Sequence, residues 1–310
     1  MVMAVIVLIF SSQVALAQAG AKINLWDQKL ESGGEPEMVT VINGYEERTI
    51  TADESGLLFV MNLDVTILAD GELYISNGDF IAVDPMGRRV VPVAFKTNID
   101  SNMWTVTRTD IVYFSSRYNK GQEITVSVCF CVPHKFDWER AELRVAVPLD
   151  EIVGIEESYV MRNHDRVLDI FNQTPELVRD LTEVRSLDTE DGKYVDEKKM
   201  FTTEINVTAR ADGLLEYSNL DFVLVDENEW RLLASGIRGN FRWSDWLLAD
   251  EGRTVRIDKE VTIDKKYPVE VCFFIPSDFL WEKAQLRLMV PIRAISTHPL
   301  GPNEVTRTIL

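Results

Sequence analysis

Residues Cys129 to Ile152, CFCVPHKFDWERAELRVAVPLDEI, align without a gap on Cys272 to Ile295, CFFIPSDFLWEKAQLRLMVPIRAI, with 12 of 24 positions identical. A chain that carries such a segment twice must build the same local structure twice, so two structural units are required. A second match strengthens the reading. VTILADGELYISNGDFIAVD from Val65 to Asp84 lies against VTARADGLLEYSNLDFVLVD from Val207 to Asp226, sharing VT, ADG, SN, DF and VD. A fainter echo of Ile23-Asn24-Leu25-Trp26-Asp27-Gln28 in Leu168-Asp169-Ile170-Phe171-Asn172-Gln173 places the start of each unit. The expected organisation is a leader at 1–19, domain one at 20–152, a polar linker at 153–167 containing His164, domain two at 168–295 and a tail at 296–310.

Each repeat reads as strand, corner, strand. Ile124, Val126, Val128, Phe130 and Val132 recur at every second position, which a strand with one buried face requires, and Pro133 stops the ladder because it has no amide donor. Leu143, Val145 and Val147 resume the alternation up to Pro148. The second copy repeats this with Val269, Val271, Phe273 and Ile275, then Leu286, Leu288 and Val290 between Pro276 and Pro291. Trp138 and Trp281 fall at the corners and are expected to plug them. Thr174-Pro175-Glu176 carries helix-start signals, so a short helix to about Leu181 is expected, followed by a charged loop at 188–199. Short strands at regular spacing predict an all-β fold of two tandem β-sandwich domains.

A formal charge of -18 repels phosphate backbones, which argues against nucleic-acid partners. Met1 to Phe10 is apolar and leads to Ala15-Leu16-Ala17, a pattern resembling a secretory signal peptide cleaved after Ala17 or Ala19, though without the usual preceding positive charge. The run is shorter than the roughly 20 residues that span a bilayer, so export is expected and no transmembrane span in the mature chain.

Three cysteines cannot all pair within one chain. Cys129 and Cys131 point to the same face of one strand with poor disulfide geometry, so free thiols are expected. That face should be solvated in a sandwich, yet it carries Cys129 and Cys131 in one unit and Cys272 and Phe274 in the other. A cover is therefore expected: the sister domain, the segment near Trp26 and Phe171, or a partner chain.

Asp70-Gly71 and Asp212-Gly213 read as tight turns, with glycine accepting positive φ. Asp84-Pro85-Met86-Gly87 is another turn, and Asp226-Glu227-Asn228-Glu229 is its counterpart without Pro or Gly. Calcium is an alternative use of these aspartates, but no EF-hand pattern is present and turn chemistry explains them. Asp79 and Asp221 each precede an apolar strand, where bonding to the local backbone is the ordinary role. Phe241-Arg242-Trp243-Ser244-Asp245-Trp246 is the most unusual local composition. Trp243, Trp246, Arg242 and Phe241 suit a sugar-stacking or peptide-binding platform, or a tryptophan there fills the core.

The order ADG, SN-x-DF-x-x-VD, a variable stretch, then a strand ending near Phe-x-x-Pro before a Leu-Arg strand resembles the immunoglobulin-like domains of exported bacterial proteins of unknown function, related to the mycobacterial immunoprotective extracellular antigen. The resemblance spans about Val60 to Ile152 and Thr202 to Ile295; the second unit lacks the glycine after its VD turn. It implies an extracellular setting and no catalytic residues. No Gly-x-Ser-x-Gly pattern or metal-ligand spacing among His134, His164, His298 and the cysteines is found. The expected function is non-enzymatic binding of a protein or surface component at the cell envelope; the alternative is carbohydrate binding at Trp243 and Trp246.

Overall fold

The computed structural model describes residues 21–44, 49–52, 56–99, 103–107, 113–152, 159–162, 165–184, 199–239, 246–249 and 254–296. The fold is nearly all β, with one short α-helix, Ile292–Ser296, among the described residues. The expected leader and tail, His164, His298, Phe241, Arg242 and Trp243 lie outside the described residues.

Each unit has an outer sheet of matching order. In the first, Thr105–Val106, Pro92–Thr97, Glu123–Pro133, Gly56–Thr66 and Lys29–Ser32 lie side by side, with Glu37–Val39 also on Gly56–Thr66. In the second, the order is Leu247–Leu248, Gly236–Gly239, Lys266–Ile275, Lys199–Thr208 and Thr174–Val184. The alternation fixes which face is buried: Phe59, Val126 and Phe130 in one unit, and Phe201, Val271 and Phe273 in the other, are each 1% exposed or less. The corners match as well. Trp138 packs on Phe59 and Trp281 on Phe201, the aromatic at the equivalent position.

The units are not strung out on a linker. Glu142–Pro148 and Gln285–Pro291, the closing strands of the two repeats, pair with each other antiparallel at the centre of one six-stranded sheet. Ala146 sits opposite Met289, its own repeat equivalent, while Arg144 faces Pro291 and Arg287 faces Pro148. An antiparallel pairing of equivalent residues puts a local two-fold axis through that central pair. One contiguous apolar cluster then runs from Leu30 and Phe59 through Val145 and Val290 to Phe201 and Ile237. The other face of the shared sheet holds a second cluster, Ile81, Val83, Ala146, Leu220, Val223, Val225 and Met289.

Three local expectations are overturned. The region read as linker, 153–167, holds Tyr159–Arg162 and the start of Asp165–Asp169, a hairpin whose second strand runs parallel to Gly213–Ser218. The expected helix from Thr174 is the strand Thr174–Val184, whose pairing with Lys199–Thr208 overrides the capping signal. Gly71 and Gly213 also serve a different purpose from positive φ, which neither adopts. A Cβ on Gly71 would lie 2.3 Å from the Ala21 carbonyl oxygen, and one on Gly213 2.5 Å from that of Arg166, so each glycine admits a parallel neighbour strand.

Candidate functional site

The SN-x-D motif builds the join between the units. Ser76 and Ser218 each begin a single 3-10 turn whose third residue closes a capping box: Ser76 N–H donates to Asp79 Oδ2 at 2.9 Å and Ser218 N–H to Asp221 Oδ2 at 2.8 Å. That is the local role expected for both aspartates. The second carboxylate oxygen reaches across the join. Arg89 Nε donates to Asp221 Oδ1 at 2.8 Å, and Arg231 Nε donates to Asp79 Oδ1 at 2.9 Å. All four residues are buried, so each unit supplies the countercharge that the other requires.

Further charges surround both pairs, with Glu229 3.2 Å from Arg231. Arg89 lies 3.2 Å from Glu216, and Arg144 lies 3.1 Å from Asp169 with its guanidinium over the Phe171 ring. Burial disfavours the charged form of Arg89, but Asp221, helped by Glu216, leaves its pKa above the ordinary value. Arg287, at the position equivalent to Arg144, is held lower by burial; its glutamine neighbour Gln285 stands where the first unit has Glu142.

The outer faces differ between units. In the first, Leu58, Val60, Ala94 and Cys129 are roofed by the hairpin Val41–Asn43 and Thr49–Thr51 through Ile42 and Ile50, with Trp104 and Val106 at the margin. The expected cover of Cys129 is thus a segment of the same unit, rather than the sister unit or the stretch near Trp26 and Phe171; those two side chains are themselves buried in the main core. Cys131 is exposed, contrary to expectation, because the neighbouring strand ends at the Pro92–Phe130 pair and leaves that flank bare. Cys272 is buried beside Gly236, where a Cβ would lie 2.9 Å from its Sγ, and Phe274 is half-buried. Burial pushes the thiols of Cys129 and Cys272 up to about 12.

Beyond the cysteines the second unit's outer face becomes charged. Arg238 pairs with Glu270 and lies over the Trp246 ring at 4.9 Å, while Arg179 lies 3.7 Å from Glu270 and 3.9 Å from Glu204. Leu177, Val178 and Leu247 are exposed along its margins. The first unit has the counterpart, with Lys96 Nζ 4.8 Å from the centre of the Trp104 ring. Lys96 and Arg238 sit at matching positions, as do Trp104 and Trp246. Sequence reading missed this because the flanking residues diverge; equal spacing from the VD turn was the available signal.

Among the described residues no group of three His, Cys, Asp or Glu could hold a metal ion, and no helix is long and apolar enough to cross a membrane. The aspartates weighed for calcium serve backbone donors: Asp70 accepts from Lys120 N–H at 2.7 Å and Asp212 from Ile263 N–H at 2.8 Å.

No protein-family profile matches the chain, and no curated protein matches it by sequence. Solved structures align over much of its length with low similarity. An anti-sigma factor domain-containing protein is 9% identical, over 85% of this chain and 99% of that one, with a TM-score of 0.22. Allantoicase is 8% identical over 82% and 90%, with a TM-score of 0.18. A GH2 beta-galacturonidase from Eisenbergiella tayi, bound to galacturonate, is 9% identical over 86% and 43%, with a TM-score of 0.19. These likenesses carry no argument about function.

Proposed function

We propose that this chain is a non-enzymatic binding protein, exported to the cell envelope, that uses two immunoglobulin-like sandwiches to present a protein- or surface-binding face. The observation that carries the reading is the outer face of the second unit, where Trp246, Arg238, Glu270, Glu204 and Arg179 form a mixed aromatic and charged strip across adjacent strands. A tryptophan held by a guanidinium offers a rigid contact surface at small entropic cost, and Trp and Arg are the residues that most often dominate binding energy at interfaces. The paired Lys96 and Trp104 of the first unit sit beside a roofed apolar patch, which favours the second unit as the interacting one.

The test is binding of immobilised exported protein to fractionated envelope material. Trp246→Ala with Arg238→Ala should weaken capture by roughly tenfold or more, while Lys96→Ala with Trp104→Ala leaves it unchanged. Equal loss in both, or loss in neither, contradicts the assignment. Sequencing the exported form should find its first residue immediately after Ala17 or Ala19.

The alternative is a carbohydrate ligand, favoured by the aromatic content from Phe241 to Trp246. On a glycan array, saturable binding that disappears in a folded Trp246→Ala variant supports sugar recognition. A blank array, with envelope-protein capture intact, favours a protein partner.

A further inference from the structure

The VD turns of the two units share one backbone geometry and differ in the side chains around it. In the first, Asp84 Oδ1 accepts from the amides of Met86 and Arg88, both at 2.9 Å, and Oδ2 accepts from the Asp137 amide at 3.3 Å. In the second, Asp226 Oδ1 accepts from Asn228 and Trp230, both at 2.9 Å, and Oδ2 from Leu280 at 3.1 Å. All three backbone bonds recur, and Glu229 takes a φ of 66° where Gly87 has 77°.

The side chains around the carboxylate do not recur. Arg88 places Nε 2.7 Å and Nη2 2.6 Å from Asp84 Oδ2. At that position the second unit has Trp230, and where the first has the polar Asp137 the second has Leu280. Among the described residues no Lys or Arg pairs with Asp226. Trp230 is 40% exposed and Leu280 37%, and their amides bond to the two oxygens of one carboxylate.

We infer that the Asp226 turn is a receptor for an arginine side chain donated by a partner protein. The first unit shows how this turn receives a guanidinium: through its Nε and Nη2 edge at the Oδ2 oxygen, with the backbone donors already in place. The second keeps the carboxylate and its orientation, supplies no cation among the described residues, and offers an exposed indole on which a guanidinium can stack. Asp226 is 3% exposed, so an incoming guanidinium requires the side chains over the turn to move aside. A chain of net charge -18 draws basic partners at long range. Arginine rather than lysine is specified, because a planar ion both stacks on the ring and donates two hydrogen bonds. This site belongs to the shared sheet and does not rest on the outer-face reading above.

The experiment follows the Trp230 indole resonance in the full chain, identified among the seven tryptophans with a Trp230→Phe variant, during titration with a capped pentapeptide carrying one central arginine. The expected result is a saturable shift. The same peptide with citrulline, which keeps the shape and loses the charge, should bind roughly tenfold more weakly or worse. Trp230→Arg rebuilds the first unit's internal pair and should abolish binding without loss of stability. The inference is overturned if the arginine peptide gives no saturable shift, if citrulline binds as well, or if a folded Trp230→Arg protein binds as tightly as wild type. The citrulline comparison needs no variant and decides the matter even where Trp230→Arg fails to fold.

Discussion

Arg89 and Asp221 are 132 positions apart and belong to different copies of the repeat, yet Nε and Oδ1 meet at 2.8 Å in a buried ion pair. The same pair forms in the opposite sense between Arg231 and Asp79 at 2.9 Å. Two exchanged ion pairs flanking a symmetric strand pairing make the join part of the fold rather than a contact between finished domains.

Removing one charge from such a pair leaves the other buried and uncompensated. Asp221→Asn should therefore lower stability by about 3 kcal/mol in urea unfolding, and Asp79→Asn should do the same. Replacing both partners with apolar groups, Arg89→Met with Asp221→Leu, should recover most of the loss, because no unpaired charge remains. A double variant less stable than either single one contradicts this.

Asp27 gives the protein a pH dependence of a particular sign. Burial, opposed by the hydrogen bond from Asn24 and reinforced by Glu151, raises its pKa to about 6 from 3.8. The folded state holds this proton more tightly than the unfolded one, so the contribution is favourable at low pH and is lost as pH rises through the window between those values. Asp27→Asn should stabilise the protein at pH 7 by about 1 kcal/mol, after discounting for solvent screening at this half-buried site. The advantage should vanish near pH 4. Equal effects at both pH values rule out the assignment.

The three cysteines should separate by reactivity. With Cys129 and Cys272 pushed up to about 12 and buried, and Cys131 exposed, a colorimetric thiol reagent at pH 8 should titrate one group in the native protein and all three in denaturant. Rapid native reaction of a second thiol means the roof over Cys129 or the packing of Gly236 on Cys272 is looser than described.

Gly213→Ala should cost more than Gly87→Ala. The first forces a methyl group to within 2.5 Å of the Arg166 carbonyl and breaks the parallel pairing there, about 2–4 kcal/mol. The second imposes a φ of 77° on alanine, about 1 kcal/mol. Thermal unfolding of the two variants orders them directly.

Much of this fold was legible because its signals are local. Alternation assigned the core faces of Glu123–Pro133 and Lys266–Ile275, and the equivalence of Trp138 and Trp281 follows from an ungapped alignment. The join was not legible. Nothing in LRVAVP and LRLMVP distinguishes two closing strands that face separate neighbours from two that pair with each other, and a buried arginine in a strand reads like a solvent-facing one. Thr174-Pro175-Glu176 misled for a related reason: capping preferences are weaker than a long ladder to a neighbouring strand. Glu229 shows the converse, since a residue ill suited to positive φ holds the turn while its carboxylate engages Arg231 at 3.2 Å. The Lys96–Trp104 and Arg238–Trp246 pairs escaped notice because only spacing, and not residue identity, relates them.

The claim that the two repeats fold as one body is tested most directly by hydrogen exchange with mass spectrometry across a urea series, comparing peptides from Glu123–Pro133 with peptides from Lys266–Ile275. Both should lose protection at the same denaturant concentration, and Asp79→Asn should shift them together. Two separate midpoints, with the substitution moving only one of them, contradict it.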